Sequence, residues 1–194
     1  MRSPRRRDRQ LELLVGTVAI VAPTLHTLTD FLEWHQGGFS TLQLWLNYIA
    51  FVPLSWLLLG IHVVRVPGPR AGGLFGAVLY GAAFTYFAFS TLYALNQGAP
   101  DYETLWLQLG NLYTVHGVLM IVGGLSFAVS AYRAGGVRYP FVIFAAGLCI
   151  NLLLGLVDVP DILQTVGSTL RNVGLVAIGY EILRARHLSH EAGS

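Results

Sequence analysis

Arg171 is the residue of this sequence most at odds with its surroundings. It stands near the middle of an apolar stretch from Ile162 to Leu183, and Asn172 follows it. A guanidinium there needs an anion. Its forked donors suit either a structural ion pair with Asp30 or Asp158 or a clamp on a ligand carboxylate. Two histidines, His26 and His116, also lie within apolar stretches, where ionisable groups are costly and point to function. Asn47, Asn111, Asn151 and Asn172 add amides to the set. Depths reckoned at about 1.5 Å per helical residue put these groups in one layer, with Asp30 and Asp158 above it. Such a layer would form a polar pocket.

The elements that must hold this layer are helices in lipid. Hydrophobic residues make up 54% of the 194 and charged residues 11%, far below the roughly 25% usual in a soluble domain. A span needs about 20 mostly apolar residues. Six stretches qualify: Leu11 to Phe31, Leu42 to Val64, Gly72 to Leu95, Leu105 to Tyr132, Tyr139 to Val157 and Ile162 to Leu183. The first is too long for a signal-peptide core and lacks a cleavage pattern, so it reads as a retained helix. The expected fold is an all-α, polytopic six-helix bundle over residues 11–184. A basic arm (1–10) would precede it and a short tail (185–194) would follow.

Charge sets the expected orientation. All 12 basic residues are Arg. Arg2, Arg5, Arg6, Arg7 and Arg9 precede the first stretch, and Arg65 and Arg70 follow the second. Arg133 and Arg138 follow the fourth; Arg184 and Arg186 follow the sixth. The other three connections and their flanks carry Asp30, Glu33, Asp101, Glu103, Asp158 and Asp161 instead. The positive-inside rule then puts both termini in the cytoplasm of a multi-pass cell-membrane protein. Trp34, Trp45 and Trp106 fall near the outer boundary, as interfacial aromatics do. A period of about 64 residues would make three repeated helical hairpins, because the first, third and fifth stretches begin near Leu11, Gly72 and Tyr139. A net charge of +2 gives no reason to expect nucleic acid. The single Cys149 excludes an internal disulfide and reads as an apolar filler.

One segment resembles a known family. Tyr113, Thr114, His116, Gly117, Met120 and Ile121 reproduce the pattern of the second helix of subunit I of the haem–copper oxidases. The likeness extends weakly over residues 76–130. In that family the histidine is an axial ligand of a low-spin haem. The resemblance implies haem b on His116, with His26 as the second ligand by depth and Arg171 on a propionate. Gly117 would let the flat macrocycle approach. It also implies electron transfer, sensing or an accessory role in a respiratory membrane complex, with other membrane subunits or a quinone as partners besides the lipid bilayer. The family's copper-ligand histidines are absent, so oxygen reduction is not implied.

Other readings stay open. His116 also suits a packing or hydrogen-bonding role beside Gly117. Asp30, Glu33 and Asp158 could do acid–base chemistry on a lipid-like substrate. Pro23 and Pro53 interrupt the first two stretches, as in transporters that bind solutes near the midplane. Glu33, His35 and His26 could hold a metal. His62 reads as an interfacial residue, and His187 and His190 as solvated ones.

Overall fold

A computed structural model describes residues 4–65, 71–135, 137–154, 156 and 161–191. Arg2, Arg70 and Asp158, all part of the sequence expectations, lie outside the described residues.

The described chain is all-α. The helices are α1 (Pro4–Gln36), α2 (Thr41–Arg65), α3 (Ala71–Gln97), α4 (Tyr102–Leu109), α5 (Asn111–Ala134), α6 (Tyr139–Leu154) and α7 (Asp161–Glu191). Long apolar runs favour helices because a helix satisfies its own backbone polar groups. Four segments are long and apolar enough to cross a membrane: Arg9–Gln36, Thr41–Val64, Ala71–Gln97 and Asn111–Ala134. The run Tyr139–Leu153 is apolar but shorter. In α7 the apolar run is interrupted by Gln164, Thr165, Ser168, Thr169, Arg171 and Asn172.

Two boundaries differ from expectation. The stretch from Leu105 to Tyr132 is not one helix, because it breaks at Gly110. There φ is +54°, a left-handed value that glycine adopts without a Cβ penalty. The Asp101 carboxylate starts the short α4 by accepting a hydrogen bond from the Thr104 amide at 2.8 Å. Hydrogen bonds from the Thr104 backbone and side chain hold the partly exposed Asp101 carboxyl below its ordinary range. The ends of the chain are also more helical than expected. Helix α1 begins at Pro4 and α7 continues to Glu191, so the arm and tail extend the first and last helices.

The long helices form a closed ring. Each of α1–α2, α2–α3, α3–α5, α5–α6 and α6–α7 is in contact, and α7 packs along α1 to close it. The centre is largely aromatic and aliphatic: Tyr80, Phe84, Phe127, Phe144, Leu148 and Leu175 are fully buried. Glycines set the closest approaches. Gly76 on α3 and Gly123 on α5 lie against each other's backbone, and Gly147 on α6 lies against the backbone of Arg171. Trp34, Trp45 and Trp106 are each about half exposed. Cys149, expected inside, is exposed on the outside of the bundle.

Candidate functional site: a buried polar relay at Arg171

The polar side chains meet where α1 and α7 pack. Asn172 shares the inward face with Arg171, and Ser168 lies one turn before it. From α1, His26 and Asp30 share a face at i, i+4 spacing. Arg171 is 3% exposed, His26 6% and Asn172 1%. The close pass of Gly147 brings the Arg171 backbone against α6, leaving the side chain to reach across the bundle.

The hydrogen bonds fix the charge state. An Arg171 terminal nitrogen lies 3.2 Å from His26 Nδ1. A guanidinium can only donate, so Nδ1 is the acceptor and carries no proton. Nε2 therefore holds the proton and faces Asp30 Oδ1 at 3.3 Å. Ser168 donates to the other Asp30 oxygen at 2.5 Å. The Asn172 amide nitrogen also approaches Nδ1, at 3.4 Å, and donates to Thr27 at 3.0 Å. The result is a line of cation, neutral imidazole and carboxylate. The ion pair expected between Arg171 and Asp30 is not direct; the imidazole mediates it.

The remaining acceptors of Arg171 are weak. One terminal nitrogen donates to the thioether sulfur of Met120 at 2.9 Å. The contacts to the Asn172 side-chain oxygen are long, at 3.4 Å. The Phe84 ring lies under the guanidinium, its centroid 5.7 Å from Cζ. Among the described residues no carboxylate oxygen lies within ion-pair distance of this buried cation. Asn47 is joined to the site through Thr29, whose hydroxyl donates to the Asn47 side-chain oxygen. Asn151 is also nearby: with its amide oriented to satisfy both contacts, it accepts from the Ser168 amide at 3.3 Å. Asn111 is exposed at the start of α5 and does not join.

His116 lies apart from this cluster. Its Nδ1 is 3.0 Å from the Leu112 carbonyl, so it donates there and leaves Nε2 as a bare acceptor. That Nε2 is buried and has no partner among the described residues. The ring stands edge-on to Phe87 at 4.2 Å and to Tyr113 at 4.5 Å.

A haem held between His26 and His116 does not fit this arrangement. Both nitrogens of His26 are taken. Aromatic rings also fill the space between the two histidines. His26 meets Phe51 at 4.8 Å, Phe51 meets Phe87 at 5.6 Å, and Phe87 meets His116. His116 alone keeps a free nitrogen. A Cβ on Gly117 would meet no atom within 4 Å, so helix packing does not require that glycine.

The carboxylates have partners. Asp30 is engaged by His26 and Ser168, and Glu33 accepts from Gln43 at 3.1 Å. Glu33, His35 and His26 do not form a metal set: among the described residues no three His, Cys, Asp or Glu side chains converge. His62 packs against Gly73 near the other end of α2. Sequence reasoning missed Ser168 and Thr29, and it named Met120 for the oxidase-like pattern but not as a partner of Arg171. Ser168 is three residues before Arg171, so helical spacing could have found it; an uncharged methionine gives no such signal.

The sequence matches no family model, and no curated protein or solved structure matches it.

Proposed function

We propose that this chain is a multi-pass membrane protein with six spans and both termini cytoplasmic, and that it binds or carries a small anionic solute at Arg171. The observation behind this reading is the poor satisfaction of a permanent, buried cation. Its acceptors are a thioether, an imidazole and a distant amide oxygen. A carboxylate or phosphate oxygen is a far better partner for guanidinium, so an incoming anion gains by replacing Met120. The topology reading draws on charge placement. Arg9, Arg133, Arg138, Arg184 and Arg186 lie at the ends of helices opposite to Asp30, Glu33, Asp101 and Glu103.

The test is thermal unfolding of the purified protein in detergent at constant ionic strength, with acetate, benzoate, phosphate and sulfate as probes. A bound anion raises the melting temperature by mass action. At least one probe should raise it for the native chain and none for Arg171→Gln. Equal shifts in both proteins, or no shift with any probe, would sink the reading.

A second reading keeps haem b, in an electron-transfer, sensing or accessory role, with His116 as an axial ligand. It is favoured by the His116 ring itself. A histidine that ligates a metal commonly donates its other N–H to a carbonyl and presents the remaining nitrogen. Protein made with haem precursor should then show sharp reduced α and β bands that vanish in His116→Ala. A colourless preparation that stays colourless after haem addition removes this reading.

A further inference from the structure

Among the described residues, α5 and α6 are joined at mid-length and part toward the end where α5 begins. Gly117 and Gly124 stand two turns apart along nearly one face of α5. A Cβ on Gly124 would strike Leu148 and Phe144 of α6, whereas one on Gly117 would meet no atom within 4 Å. The facing side of α6 changes in the same way. Leu148 is fully buried, and Leu152, one turn further along, is 42% exposed. These last turns of α6 lean on α7 instead, where a Cβ on Gly167 would touch Ile150 and Asn151.

Met120 stands at the bottom of this opening. It lies one turn beyond Gly124 and one turn short of Gly117 on the same side of α5. The residue is buried, with its sulfur on the Arg171 guanidinium at 2.9 Å. The seam therefore leads from the outside of the bundle to a weakly satisfied donor of Arg171. Only one unbranched, flexible side chain stands in the way. The exposed rim is apolar, with Val118 on one side and Leu152 on the other. Such a rim favours a molecule that arrives dissolved in lipid over one that arrives in water.

We propose that Arg171 takes the head of an alkyl carboxylate, which enters from the lipid between α5 and α6, displaces the Met120 sulfur and leaves its tail in the seam at Gly117. The inference rests on the anion reading and names the substrate class of that site. Two coplanar oxygens match the fork of a guanidinium. A single charge also suits the surroundings. The Asp30 carboxylate already stands on the far side of His26, and it repels each further negative charge.

The probes are acetate, decanoate and 1-decanol, added at constant ionic strength to the full chain in phosphatidylcholine nanodiscs. The readout is thermal unfolding followed by circular dichroism, since a bound ligand raises the melting temperature by mass action. Decanoate should act at concentrations at least about ten-fold below those of acetate, the equivalent of ~1.4 kcal/mol. The alcohol, which has the tail without the charge, should not stabilise. Gly117→Leu puts a side chain into the opening and should remove most of the advantage of decanoate over acetate. Stabilisation by acetate with no advantage for decanoate overturns this proposal and leaves the anion reading standing. Equal stabilisation by 1-decanol overturns it as well, and so does an advantage that survives Gly117→Leu. The comparison of probes on the native chain needs no variant. No shift with either carboxylate, or shifts that persist in Arg171→Gln, would remove both readings together.

Discussion

Replacing Arg171 by methionine should cost about 3–5 kcal/mol of stability, as breaking a buried charge pair does when one partner is removed. The loss comes mainly from what stays behind. Asp30, whose side chain is 10% exposed, would keep its charge with only neutral His26 and Ser168 around it. Adding Asp30→Asn should therefore restore part of the stability. Groups in one network typically couple by roughly 0.5–3 kcal/mol, and this pair should lie in the upper half of that range. Unfolding in mixed micelles, followed by circular dichroism for the native chain, both single variants and the double variant, reads the coupling directly. Strictly additive losses would mean that the imidazole does not connect the two charges.

A second large effect is expected at a residue with no polar atom in its side chain. Gly147→Ala should destabilise the bundle by about 1–3 kcal/mol, the usual range for overpacking. The added methyl would run into the backbone nitrogen and Cα of Arg171, which cannot rotate away as a side-chain tip can. Any relief moves α7 off α6 and takes the guanidinium with it, so anion-dependent stabilisation should fall as well. Gly117→Ala is the control. It meets open space on α5 and gains helix propensity, so it should be neutral or slightly stabilising. If the two alanines behave alike, the close pass of α6 and α7 does not position Arg171.

The helices were legible in the sequence because hydropathy is a property of long runs and survives local exceptions. The break at Gly110 was not, since one glycine among apolar residues looks like any packing glycine until its φ is known. For the site, depth along a helix was legible and rotation about it was not. Depth alone grouped His26, Asn47, Arg171, Asn172 and His116. The fold brings the first four together and turns His116 toward Phe87 and Tyr113 instead. Asn111 has the right depth but lies at the exposed start of α5. Met120 shows the opposite failure, because its role comes only from where its sulfur ends up.

The line from Arg171 through His26 to Asp30 has a consequence for how the first and last helices hold each other. Two of its links run from α7 to α1: the guanidinium on Nδ1, and the Ser168 hydroxyl on the carboxylate. An anion that draws the guanidinium away takes the donor from Nδ1 and leaves the serine and the carboxylate together. On the anion reading, filling the site then unties one of these two links and keeps the other, so a bound solute would change how α1 is held against α7.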